Sequence, residues 1–147
     1  MDRWRAPLLA LAVASSALGL ALFLALDARD DRSGPTCAPG DRALRRIEMV
    51  FGLSRKDRTD VSDTEWSDFL AREVTPRFRD GLTVLAANGQ WLNGDGDIVR
   101  EPARVVLIWA VPAADLDNRV EHIRIAWRRD QRQDSVLRAY ATDCVSF

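Results

Sequence analysis

Arg104-Val105-Val106-Leu107-Ile108-Trp109-Ala110-Val111 is the stretch that decides the fold. After Arg104 it carries no charge and is nearly unbroken in apolar side chains. A strand buried on both faces reads this way, so this segment is expected at the centre of a sheet. Pro112 opens the next connection. Leu116, Val120, Ile123 and Trp127 then recur at helical spacing and mark one apolar stripe. Arg124, Arg128, Arg129 and Arg132 crowd the end of that helix, where cations suit the dipole. Ser135 to Ala141 alternates again and reads as the last strand.

Working towards the N-terminus, Leu82 to Ala86 reads as a strand. Asn88-Gly89 is a turn or bulge signal, and Gln90-Trp91-Leu92 continues the strand. Asn93-Gly94-Asp95-Gly96 is a tight turn, since glycine supplies positive φ without strain. Before it, Ser62-Asp63-Thr64-Glu65 forms a capping box, followed by Trp66, Phe69, Leu70 and Val74 at helical spacing. Pro76 ends or kinks that helix and biases Thr75 towards an extended backbone. Arg45 to Leu53 alternates with period two: Ile47, Met49, Phe51 and Leu53 on one face, Arg46 and Glu48 on the other.

The order strand, helix, strand, strand, helix, strand predicts an α+β fold. It is the ferredoxin-like βαββαβ plan, a four-stranded antiparallel sheet with two helices on one face. The expected strand order is 4-1-3-2, which places the most apolar strand centrally.

Ahead of this domain, Pro7 to Leu26 contains no charged residue and is long enough to span a bilayer as a helix. Arg3 and Arg5 precede it, which orients the chain N-in, C-out. The run reads as an anchor, or as a signal segment cut after export; the cut would leave a secreted domain. The organisation expected is a cytoplasmic N-terminus over 1–6, an anchor or signal over 7–26, a linker over 27–42 and a domain over 43–147. The domain would then lie outside the cytoplasm. Cys37 and Cys144, an even pair in an exported chain, are expected to form a disulfide.

Charge is balanced, with 21 Lys and Arg against 22 Asp and Glu. Nothing in it points to nucleic acid as a partner. Two cysteines without companion histidines do not make a metal site, and no cofactor is expected. Asp95 and Asp97 lack the distal glutamate of a calcium loop and read as turn residues. The lone histidine, His122, falls off its helix's apolar stripe and reads as a solvated side chain. No catalytic template is present: there is no nucleophile elbow, phosphate loop or His-Glu-x-x-His.

Several segments together resemble a known family. Phe51-Gly52-Leu53-Ser54, Glu73-Val74-Thr75-Pro76-Arg77-Phe78, Asp80-Gly81-Leu82-Thr83-Val84, Gly89-Gln90-Trp91, and Gln133 with Ser135-Val136-Leu137-Arg138 occur in this order. The pattern is similar to that of the uncharacterised bacterial domain family DUF3574, over roughly residues 43 to 147. The resemblance implies a small exported protein and adds no chemistry. This chain departs from the pattern at Arg79, where a proline is expected, and at Ala86, where an acidic residue is expected. It also lacks the lipid-attachment box that many members carry.

The candidate ligand-binding set is Arg77, Gln90, Trp91, Arg100 and Glu101. A tryptophan beside a guanidinium and an amide can hold a small anionic or aromatic ligand, and Glu101 is the one candidate base. A purely structural reading fits the same residues, with Trp91 capping the core edge and Arg77 paired to Asp80 or Glu101. The sheet's second face also needs an account. Alternation is expected to place Arg46, Glu48, Arg138 and Tyr140 there, a polar or wet surface through which a homodimer can form. Ile125 falls opposite its helix's core stripe and offers a further contact surface. Two functional readings follow. One is a membrane-anchored extracytoplasmic domain that binds a protein or small molecule without catalysis. The other is a small enzyme resembling dimeric α+β barrel monooxygenases or isomerases, with Trp91, Arg100 and Glu101 near its pocket.

Overall fold

The computed structural model describes residues 35–57 and 59–147; the apolar 7–26 run lies outside them. Four strands and two helices follow in the expected order: β1 Arg42–Gly52, α1 Asp63–Phe69, β2 Thr83–Leu92, β3 Ile98–Ala110, α2 Leu116–Gln131 and β4 Leu137–Val145. The sheet is antiparallel with order β2-β3-β1-β4, which is the expected 4-1-3-2 read from the other edge. β3 is central, as its apolar run requires. Among the described residues no helix is long and apolar enough to cross a membrane.

One core lies between the sheet and the helices. Ile47, Met49 and Phe51 of β1, with Val106 and Ile108 of β3, meet Trp66 and Phe69 of α1 and Val120, Ile123 and Trp127 of α2. Phe51, Phe69 and Trp127 pack edge to face, with Trp66 on the same cluster and centroids 4.7–6.2 Å apart. Such pairs add roughly 0.5–1.5 kcal/mol each beyond their buried area.

Local signals act as expected at the start of α1. The Ser62 hydroxyl accepts from Glu65 N–H, and the Glu65 carboxylate accepts from Ser62 N–H at 2.9 Å. The helix end differs from expectation. Thr75 stays helical (φ −55°, ψ −42°), because Leu70–Val74 widens into a π turn before Thr75–Arg77 closes as a 3₁₀ turn. The wider turn accommodates the missing N–H and the ring of Pro76, which a regular α-turn would not.

Two further expectations are corrected. β2 and β3 pair without interruption from Thr83↔Leu107 to Leu92↔Ile98, so Asn88-Gly89 is neither a turn nor a bulge. The hairpin turn is at Asn93, whose Oδ1 accepts from the N–H groups of Asp95 and Asp97. In β4, Tyr140 pairs with Ile47 and Arg138 with Met49, so both lie on the helix side and not on the open face. The Arg45 guanidinium sits over the Tyr140 ring at 4.6 Å there. The residues of β4 on the open face are Leu137, Ala139, Ala141 and Asp143.

Cys37 and Cys144 form a disulfide with a Cα–Cα distance of 5.3 Å. It ties the segment before β1 to the end of β4 and suits an oxidising, extracytoplasmic compartment.

Candidate functional site

The β2–β3 hairpin is longer than its neighbour. β1 stops at Gly52, opposite Ala103, while β3 begins at Ile98. Past the end of β1 the chain turns away, with one more bond from Leu53 N–H to Pro102 C=O. This leaves the β3 edge over 98–101 without a strand partner. The loops after β1 and after α2 flank it and close a cleft of about 430 Å³. An adjoining cavity of about 360 Å³ continues onto the sheet face, between Val50, Gly52, Gly89 and Leu137. Both cavities share Trp91, Glu101, Gln133 and Asp134. Their volumes are in the range of small-molecule sites.

Glu101 is the polar centre. Its carboxylate lies over Gly52: a Cβ added there would stand 2.6 Å from Glu101 Oε2. Gly52 thus supplies the space the carboxylate occupies. Ser54 N–H donates to Oε2 at 3.3 Å, and among the described residues no cation pairs with Glu101. Glu101 lines both cavities, and among the described residues its carboxylate accepts no other hydrogen bond. Trp91, two residues from Gly89 on the same face of β2, is half exposed and lines both cavities.

The loops are held by their own bonds. Gln133 Nε2 donates to Ser54 C=O at 2.6 Å, which joins the two loops. Arg55 Nη2 donates to Glu65 and to Gln131 Oε1, both at 2.6 Å. Lys56 pairs with Asp134 at 2.6 Å. Arg132, at the cleft, has φ 56° and ψ 37°, the left-handed region. It is the one such non-glycine among the described residues. The position closes α2, a role that glycine fills with less strain. Arg132 is among the residues that line the cleft.

Of the five sequence-predicted residues, the structure brings Trp91, Arg100 and Glu101 to one cleft. Gln90 borders the adjoining cavity. Strand alternation sends Gln90 and Arg100 to the opposite face of the hairpin from Trp91 and Glu101, so the four reach the site from two sides of one edge. Arg77 does not join them. It lies by the far end of β3, in a separate cleft with Arg79, Trp109 and Arg119. Its ion-pair partner is Glu73, at 3.2 Å, and not Asp80 or Glu101. His122 is exposed, with Nε2 3.5 Å from Glu73 Oε2.

Sequence reasoning missed Gly52, Ser54, Arg132 and Gln133 as site residues. The signal was present in another form. Three of the segments that carry the family resemblance, Phe51–Ser54, Gly89–Trp91 and Gln133 to Arg138, contribute residues to these cavities.

This chain belongs to a family described as a protein of unknown function, DUF3574, whose profile matches residues 46–147. No curated protein matches its sequence. Its fold is similar to that of a phage SAM lyase in complex with S-methyl-5'-thioadenosine, at TM-score 0.56 and 15% identity, covering 77% of this chain and 95% of that one. A phage SAM lyase in its apo state aligns at TM-score 0.52 and 16% identity, covering 78% of this chain and 98% of the other. At that identity the likeness shows a shared fold, and a fold does not carry a function with it.

Proposed function

We propose that this is an extracytoplasmic ligand-binding domain, tethered by its N-terminal apolar segment, whose site is the Trp91–Glu101 cleft. The observation that carries this reading is the carboxylate of Glu101, seated in the space left by Gly52 and lining both cavities with a single hydrogen bond among the described residues. A half-exposed indole beside it supplies a flat surface for stacking. The ligand that fits is small, with one planar ring and hydroxyl or amino donors for Glu101. Arg100 and Arg132, which line the cleft, suit an anionic group on the same molecule. The absence of a convergent acid, base and nucleophile set among the described residues favours binding over catalysis.

S-methyl-5'-thioadenosine is a suitable first probe, because a protein of the same fold binds it and it carries a planar ring with donors. Calorimetric titration of the full chain should show saturable binding, weakened at least tenfold in Trp91→Ala and in Glu101→Gln. Equal affinity in all three proteins would refute the site.

One observation favours a second reading: the fold neighbour is an enzyme. Incubating the full chain with S-adenosylmethionine and following S-methyl-5'-thioadenosine by chromatography separates the two. Turnover that disappears in Glu101→Gln would make this a small enzyme, and no turnover would retain the binding role.

A further inference from the structure

We infer that the open face of the sheet is covered by a second copy of this chain. One row of the face opposite the helices is apolar across all four strands, Leu85 of β2, Val105 of β3, Val50 of β1 and Leu137 of β4, with Leu107 of β3 beside it; Glu48 and Arg46 occupy the rows beyond. Register and burial agree on this. These residues alternate with the core positions Met49, Phe51, Val106 and Ile108, and none of them belongs to the helix-side core. Leu85 is 47% exposed and Leu137 57% exposed. A contiguous apolar area of this kind is a liability in an isolated domain and marks a contact surface.

Size and charge select the occupant. Four strands spaced about 4.8 Å apart, with roughly nine residues each at about 3.3 Å, span about 19 by 30 Å. The whole face, its charged end included, is thus about 570 Å², so a pair would bury about 1,100 Å² in total, just past the ~1,000 Å² that a specific interface needs. A sheet of the same twist is the surface that covers another evenly, as in aligned sheet packing. The chain's formal net charge is −1, so two copies approach without long-range repulsion. The charged end of the face bears both signs, with Arg46 at 3.2 Å from both Glu48 and Asp143. It does not present the single-sign field that a strongly charged partner would need. In such a pair the partner sheet also roofs the cavity bordered by Val50 and Leu137. The pairing is argued from the face alone and does not depend on the ligand reading.

Native mass spectrometry of the full-length chain, released from detergent at micromolar concentration, tests it. The expected result is a two-chain mass for the wild type and a one-chain mass for Leu85→Arg and Leu137→Arg. Both side chains are exposed, so the variants should keep cooperative melting and the Cys37–Cys144 bond. Ile125→Arg, on the exposed side of α2, should remain two-chain. A one-chain wild type would overturn the proposal. So would face variants that stay paired, dissociation by Ile125→Arg alone, or a one-to-one complex with a different protein.

Discussion

At the scale of single residues, Gly52 and Glu101 form a pair in which one side chain exists because the other does not. Gly52→Ala places a methyl group 2.6 Å from a carboxylate oxygen, at the far end of a flexible side chain. The carboxylate can swing aside, so the stability cost should stay within about 1 kcal/mol, offset in part by the lower chain entropy of alanine. Probe affinity should fall nonetheless. Urea melts set beside calorimetric titration will separate the two effects. Arg132 makes a complementary case. Arg132→Gly should raise stability by up to about 1 kcal/mol, because glycine adopts the left-handed backbone freely, and should weaken any ligand that bears an anion. A stability loss on urea denaturation would show that the Arg132 side chain is itself structural.

Glu65 belongs to the same scale. Bonds from the Ser62 N–H and hydroxyl, together with Arg55, hold its carboxyl below the usual glutamate range. A carboxyl with a lowered folded pKa stabilises the protein above its unfolded pKa, and that stabilisation is lost as pH falls through the lower, folded value. Stability should therefore decline on the acid side below the ordinary glutamate range of about 4.3. Glu65→Gln should flatten that limb of the stability–pH curve, measured by thermal melting from neutral to acid pH.

At the scale of elements, the helices are held by their faces more than by their caps. α1 has only seven residues, too few to persist alone, and survives because Trp66 and Phe69 join the aromatic cluster. Trp127 links both helices to β1, with its ring centroid 4.7 Å from Phe69 and 5.3 Å from Phe51. Trp127→Ala should cost about 3–5 kcal/mol, a value that urea denaturation will report. The same packing explains why the helix end escaped the sequence rule. Burial of Val74 and Phe78 draws the chain on through Pro76, and a π turn absorbs the proline where a free helix would have stopped.

For the molecule as a whole, the disulfide closes nearly the entire domain, its cysteines 107 positions apart in the sequence. On the chain-entropy argument, such a loop contributes about 4–5 kcal/mol as an upper guide. Replacing both cysteines by serine should shift the urea midpoint markedly lower. The same double variant should leave the secondary-structure circular dichroism at low denaturant unchanged, since the core itself is untouched. The bond also holds β4 at the edge next to β1, where Leu137 contributes to the open face.

Periodicity determined most of this architecture unaided. Strict alternation in Arg45–Leu53 and the unbroken apolar run after Arg104 define two inner strands, because a buried face admits only apolar side chains. The capping box, the Asn93–Gly96 turn and the cysteine pair were legible for the same reason: each is a local chemistry with one structural outcome. Register was not local. The side of the sheet taken by Tyr140 and Arg138 depends on which β4 residue meets Ile47, and only cross-strand pairing decides that. The open face consequently keeps Arg46 and Glu48 but carries Leu137 and Ala139 where Arg138 and Tyr140 were expected. The site divided the same way. Trp91, Arg100 and Glu101 lie on one hairpin and could be grouped by sequence distance. Gly52, Ser54, Arg132 and Gln133 reach the cleft only because β1 ends before its neighbour and two loops fold over the exposed edge. Arg77 left the set because strand direction carries it to the opposite end of β3. Sequence patterns specify which residues must be buried; the tertiary fold alone decides which distant ones meet, since that depends on strand length and register summed over the whole sheet.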